Sequence, residues 1–328
     1  MGLVIKVQLI KILFIVIIIL AATNFLVDAF YSPEPEIEKT NITQSEIKNI
    51  FLLTLDEFAI SPEWIEEKQV DSSKDSTLNY KVRIPKDLPL LLVVNDLTKN
   101  FRDLNIAAAS AEEKINGTTN FTVTVDENLR LKAKLLHNSN LSRPESQVSF
   151  IVEDTDELSE RYLKELLDFG YPFGVMLIPS LENEIFKQEI SEAGKNYVLI
   201  LNDEIDDDKF LMEEGFAKKK ISSAVSTIIK SFSSAKMFLV DENSDLYESA
   251  IFNFVEDEFK RRNIRIRRKT EFKSLNGISA GETESLFDFY KHKTDIPKTF
   301  FINAQNFLLL RDELITFRKK GNRIVKPS

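Results

Sequence analysis

The chain has no cysteine, only two histidines, nine glycines and a single tryptophan in 328 residues. Without cysteine there are no disulfides, thiolate metal sites, redox dithiols or cysteine nucleophiles, and any compartment remains compatible. Zinc is held mostly by Cys and His, so His137 and His292, far apart in the chain, argue against a structural zinc site. Nine glycines and ten prolines do not make a fibrous or low-complexity chain, and no glycine-rich phosphate loop is present. A surplus of positive charge is missing as well. The formal net charge of −9 argues against generic nucleic-acid binding. What the chain does have is an ordinary globular balance, 43% apolar and 29% charged, with 25 phenylalanines to bury. At roughly 150 residues per domain, the length allows about two folded units, each able to close its own core.

Residues 12–27, ILFIVIIILAATNFLV, form an uncharged run of 16, which the mostly apolar stretch from Leu3 extends, interrupted by Lys6, Gln8 and Lys11. The extended run is long enough to cross a bilayer. Val27-Asp28-Ala29 loosely imitates a cleavage site, so a cleaved signal peptide competes with an uncleaved anchor; the anchor is favoured because a signal h-region is usually about 7–15 residues. Lys6 and Lys11 precede the run while Asp28, Glu34, Glu36 and Glu38 follow it, which places the N-terminus inside and the rest outside, in the periplasm or at the cell surface. Setting those two lysines aside leaves 41 Lys and Arg against 52 acids, so the exported part is acidic and does not lie flat on anionic lipid.

The organisation expected from the pattern is an anchor or signal peptide at 1–30, a stiff acidic Pro-Glu linker at 31–42, a small α+β domain at 43–143 and a (β/α) domain at 146–328. In the small domain, Ile47 to Phe58 read as a helix, with Trp64 packing nearby as a core anchor. Leu78 to Ile84 alternate as a strand, Leu88 to Leu104 as a helix, and Asn120 to Val125 and Leu129 to Leu136 as two strands joined at Asp126-Glu127-Asn128. From Val148 onward apolar runs (VSFIV, FGVMLI, YVLIL, MFLV, TFFI, RIV) alternate with amphipathic stretches, and a further strand is expected at 263–267. Near-continuous apolar strands separated by helices mean a parallel sheet, either a barrel or an open doubly wound sheet. Function is then expected at the strand C-termini.

The residues that follow those strands are polar: Glu153-Asp154, Asn202-Asp203-Glu204, Asp241-Glu242-Asn243 and Asn303. Gathered at one end of a parallel sheet, they have the donors and acceptors for a hard cation or for sugar hydroxyls. Acids and amides that open helices also cap unpaired N–H groups and meet the helix dipole favourably, so capping competes with function at each position.

From Val148 to the C-terminus the chain resembles the divergent polysaccharide deacetylases, extracytoplasmic relatives of the chitooligosaccharide-deacetylase barrel. The resemblance is carried by VSFIVEDTDE, FGYPFGVMLIPSLEN, SEAGKNYVLILNDE, MFLVDENSD and TFFINAQNFLLLRDEL. Upstream, Tyr80 to Pro89 looks like the family's preceding small domain. The resemblance implies a parallel (β/α) barrel-like domain and, in active members, a divalent metal held by one Asp and two His that polarises the acetyl carbonyl and activates water. Asp154 matches the Asp. The two histidine positions read Val240-Asp241-Glu242-Asn243 and Asn303-Ala304, so the histidine-based metal site is expected to be absent.

The run Lys260 to Lys269 carries seven cations in ten residues and suggests an anion site. Alternation places Ile264 and Ile266 on one face and Arg265 and Arg267 on the other. An inward Arg267 is expected to pair with Glu153 or Asp241; an outward one leaves a solvated stripe.

These readings converge on a membrane-anchored, extracytoplasmic deacetylase-like protein that binds cell-envelope glycan or an envelope protein without hydrolysing it, through Glu153, Asp203, Asp241, Glu242, Arg267 and Asn303. No cofactor and no nucleic acid are expected. Phe150, Phe173 and Phe301 are candidate stacking surfaces that compete with a core role. The alternative is an active carbohydrate deacetylase with Asp154 as catalytic base, or with Asp154 and Asp241 holding one divalent metal ion.

Overall fold

The computed structural model describes residues 42–68, 77–114, 117–291 and 298–328. The apolar N-terminal run, the acidic linker through residue 41 and His292 lie outside the described residues; among those described, no helix is long and apolar enough to cross a membrane. Two compact units are present, the first built from residues up to Leu52, Glu66–Val82 and Val94–Leu136, the second from Leu53–Ile65, Arg83–Val93 and His137–Ser328.

The first unit carries most of a five-stranded sheet in the order β1-β2-β5-β4-β3, where β1 is Ile65–Lys68, β2 Leu78–Pro85, β3 Ala107–Lys114, β4 Thr118–Val125 and β5 Asn128–Asn138. The β4–β5 hairpin forms where the alternating pattern predicts it. Its turn residues Asp126 and Glu127 both take positive φ, as a tight hairpin with right-twisted strands requires. β3 is a strand that the pattern does not announce: AAASAEEK has no apolar alternation and is largely exposed, and its order comes from antiparallel pairing with β4. Trp64, expected as a core anchor, is only half-buried in a short 3-10 turn begun by Pro62.

The second unit holds eight parallel strands: β6 (Gln147–Glu153), β7 (Gly174–Leu177), β8 (Asn196–Leu201), β9 (Phe238–Val240), β10 (Ile266–Arg268), β11 (Lys273–Ser274), β12 (Lys298–Asn303) and β13 (Arg323–Ile324). Their order is β10-β9-β8-β7-β6-β12-β11, with β13 also pairing β6. From β6 to β10 each strand lies beside the next, β11 lies beside β12, and β12 returns to the free side of β6, which is the arrangement of an incompletely closed barrel and not of a doubly wound sheet. The edges β10 and β11 are joined by only four residues, Lys269 to Phe272, a reach of at most about 18 Å, so the sheet must curl to bring them together.

Burial agrees with the curl. Alternate strand residues such as Phe150, Val152, Leu199 and Phe300 pack outward with Leu166, Ile190, Ile228, Phe259 and Phe317 of the helices. The inward residues Ile151, Val198, Ile200, Met237, Leu239 and Phe301 pack on one another and on Phe272 of the four-residue link, with no helical residue among them. Phe150 and Phe173 are wholly buried and Phe301 nearly so; all three are core and none is a stacking surface for a sugar. The strand expected at 263–267 begins later, at Ile266. The stretch 246–261 is two helices, Asp245–Glu248 and Phe252–Lys260, because Ser249 adopts an extended backbone and its hydroxyl donates to the Leu246 carbonyl.

Arg143 is a buried polar anchor of this unit. Its side chain, 5% exposed, lies 2.8 Å from Asp87 Oδ2 and donates to the backbone carbonyls of Phe58 and Lys319. Gly321, at φ +96°, passes so close that an added Cβ would stand 2.9 Å from Arg143 Nε, which calls for glycine there on two counts.

Candidate functional site

All eight strands run parallel, so Glu153, Asn202, Asp241, Lys269 and Asn303 leave the sheet at the same end. On β6, Val148, Phe150 and Val152 face the helices and Ile151 faces inward, so Glu153 continues the inward set at the barrel mouth. It is 6% exposed. Its Oε1 accepts from Asn276 Nδ2 at 2.6 Å, Asn276 Oδ1 accepts from the Asn303 amide at 2.6 Å, and Asn303 Oδ1 accepts from the Asn306 amide at 2.7 Å. Lys269 Nζ stands 2.9 Å from Glu153 Oε2 and 5.5 Å from the centre of the Phe301 ring. The ammonium pairs by charge, with angles outside those of a hydrogen bond, and no aligned donor reaches that oxygen.

The cation on Glu153 is therefore Lys269, and Arg267 does not take the place expected for it. Arg267 does project inward: its guanidinium lies 4.3 Å from the centre of the Phe272 ring, and Nε pairs with Glu271 Oε2 at 3.1 Å. Pairing with Glu153 or Asp241 fails because β10 ends at Arg268 and the next residue, Lys269, is the first to clear the sheet into the mouth. Glu242 accepts from both the amide and the hydroxyl of Thr270. Glu153 and Glu242 thus both hold the four-residue link that joins the sheet's two edges, one through Lys269 and the other through Thr270.

Asp203 accepts from the amides of Asp245 and Leu246 at 2.8 and 2.9 Å, capping the helix Asp245–Glu248 together with Ser244. Asp241 Oδ1 accepts from the Asn243 amide at 3.0 Å, a local turn bond. Asn303 is a helix cap. Beside Asp203 a cavity of about 260 Å³ is lined by Asn202, Asp203, Met212, Glu213 and Asp245 among others. The residues that sequence reasoning missed are Lys269, Thr270 and Asn276. Lys269 stood in the basic run but was passed over for Arg267, and Asn276 follows a strand of two residues that has no apolar signature.

Asp154 sits at φ +58°, a left-handed conformation that Asp and Asn tolerate better than most residues. Although the residue is exposed, its carboxyl is pushed above the usual Asp value, first by loss of water around it and then by Glu153 and Glu157, against an opposing pull from Lys269. The native state then holds this proton more tightly than the unfolded chain does. The ionised carboxylate costs stability in full above the native value, and the cost vanishes below the unfolded value of about 3.9. Asp154→Asn, which keeps the backbone conformation accessible, is expected to raise the melting temperature at neutral pH and to give no gain at pH 3; thermal melts across that range check it.

The divalent metal implied by the resemblance does not fit these residues. Both oxygens of Glu153 already face a donor amide or an ammonium, and a metal beside Lys269 would meet a like charge. Among the described residues no imidazole is at hand: His137 is exposed on β5 of the five-stranded sheet. Among the described residues no group of three or more His, Cys, Asp or Glu is arranged to hold a metal ion, and the alternative pair Asp154 and Asp241 forms no such group.

No family model matches the chain, and no curated protein matches it. Solved structures similar to it include a family 4 carbohydrate esterase from Streptomyces lividans in complex with acetate (8% identity, 55% of this chain, 91% of that chain, TM-score 0.37). Another is the catalytic domain of a peptidoglycan N-acetylglucosamine deacetylase from Eubacterium rectale (8% identity, 57% of this chain, 91% of that chain, TM-score 0.41). A third is the wild-type form of a family 4 pseudoenzyme from Bacillus anthracis (10% identity, 67% of this chain, 88% of that chain, TM-score 0.38). The chemistry of the strand ends described above is this chain's own.

Proposed function

We propose that this is a deacetylase-like protein of the cell envelope, held at the membrane by its N-terminal segment, that binds glycan or an envelope protein at the barrel mouth without hydrolysing it. The observation that carries this reading is the ion pair of Lys269 with the buried carboxylate of Glu153. A hydrolytic metal centre needs strand-end carboxylates free to bind a cation, and here the chain's own ammonium neutralises one while Asp203 and Glu242 are committed to backbone and hydroxyl donors. Sugar hydroxyls make no such demand, because they bond to carboxylates and amides that keep their structural partners. The cavity beside Asp203 offers such acceptors.

One observation favours the competing reading, hydrolysis of an acetyl group with Asp154 as base: its raised carboxyl at the mouth. The two readings part in a single experiment. Full-length protein in detergent is incubated with acetylated chitooligosaccharide, with and without Zn²⁺ or Ni²⁺, and both released acetate and oligosaccharide binding are measured. The expected result is no acetate above the blank and binding that weakens about tenfold in the Asp154→Asn/Asp241→Asn double variant, the size of one lost charge-assisted hydrogen bond. Acetate release that depends on metal and is lost in Asp154→Asn restores the hydrolase. Undetectable oligosaccharide binding moves the ligand from glycan to an envelope protein.

A further inference from the structure

Of the seven cations between Lys260 and Lys269, four are neutralised: Arg261 and Arg262 by Glu258, Arg267 by Glu271 and Lys269 by Glu153. Arg265 and Arg268 are exposed, and neither forms an ion pair among the described residues. Both line a cavity of about 570 Å³ at β10, a strand that ends the sheet path. Two aromatic residues share the lining: the ring centres of Tyr247 and Phe252 are 4.8 Å apart, and the Arg268 guanidinium carbon stands 5.7 Å from the centre of the Tyr247 ring. Asn253 adds an exposed amide on the same lining. Of the two acids present, Glu271 already serves the Arg268 amide and pairs with Arg267, and its charge is felt by Arg265 as well, so Glu256 and a shared Glu271 face the guanidinium groups of Arg265, Arg267 and Arg268.

We propose that this cavity binds an acidic sugar residue, with the carboxylate on Arg265 and Arg268, the sugar ring against Tyr247 and hydroxyls on Asn253. A guanidinium fork suits a planar carboxylate, and an aromatic face suits the C–H face of a sugar. A bare phosphate uses the arginines and leaves the aromatic lining idle. The ligand class rests on the glycan reading above, while the residues are different ones, none of them among the strand-end groups of the mouth.

The test titrates the full-length protein in detergent with tetragalacturonate and, separately, with neutral chitotetraose and inorganic phosphate. Tetragalacturonate is expected to bind, to weaken with added salt, and to lose at least about tenfold in Arg265→Gln and again in Arg268→Gln, at unchanged melting temperature. Tyr247→Leu is expected to weaken the acidic sugar and leave phosphate unchanged. The Asp154→Asn/Asp241→Asn variant, which reports on the mouth, should leave tetragalacturonate binding intact. The proposal is overturned by wild-type affinity in the Arg265→Gln/Arg268→Gln double variant, by phosphate displacing the sugar at equal concentration, or by chitotetraose competing for the same arginines. Loss of tetragalacturonate in the mouth variant alone also overturns it, by moving the acidic sugar to the mouth and leaving the earlier reading in place.

Discussion

Arg143→Met is expected to lower the unfolding free energy by about 3–5 kcal/mol, the scale of a buried charge pair broken from one side. The guanidinium is almost wholly buried and serves three groups at once: Asp87 and the carbonyls of Phe58 and Lys319. Methionine matches its length and none of its donors. The two carbonyls then lose their partner, at about 1–3 kcal/mol for each one that water cannot reach. Asp87, about a third exposed, recovers some of its loss from solvent. In the native protein burial raises the Asp87 carboxyl, and the opposing hydrogen bonds and charge of Arg143 outweigh it, leaving it below the usual value. A depressed carboxyl adds stability that is fully present above the unfolded value of about 3.9 and is lost as pH falls through the native value. Urea unfolding at pH 7 and pH 3 reads both effects: the wild-type loses part of its margin on acidification, and Arg143→Met loses less because it has less to give up. Equal unfolding curves for the two proteins at pH 7 would remove Arg143 from its anchoring role.

Lys269→Met is expected to cost about 2–3 kcal/mol, less than a fully buried pair because the lysine is about a third exposed while Glu153 is not. Methionine keeps a stem of similar length, so the loss reports the ammonium, with its charge on Glu153 and its place 5.5 Å from the centre of the Phe301 ring, more than the packing. The double variant Lys269→Met/Glu153→Gln is expected to recover most of the loss, because a neutral amide next to Asn276 leaves no unpaired charge inside the mouth. The double-mutant cycle isolates that coupling. A cycle that sums to zero would mean the two charges do not stabilise each other, and the structural reason given for the acid at the end of β6 would fall.

Much of this protein was legible in one dimension. The parallel sheet follows from apolar runs such as VSFIV and YVLIL, too apolar for a half-exposed strand and too short for a helix, separated by amphipathic stretches of helical length. The acids after those runs mark the strand ends because strand and helix patterning each stop there. The residues at the two positions where the resemblance expects histidine, Asp241-Glu242-Asn243 and Asn303-Ala304, are likewise read directly from the sequence.

The tertiary structure decided which cation meets which acid. Alternation put Arg265 and Arg267 on one face and left its direction open; the fold turns Arg267 inward, but a strand that begins at Ile266 ends at Arg268 and delivers Lys269 to the mouth, a shift of two residues that no periodicity reveals. The choice between a barrel and a doubly wound sheet was likewise open until strand order placed β12 beside β6 and four residues joined the two edges. Asn276 and Glu153 meet across 123 positions of sequence. Periodicity reports which side of its own element a residue faces, because that is a local property of the backbone. Contacts across such a distance depend on where every intervening element ends, and on the curl that the whole sheet adopts.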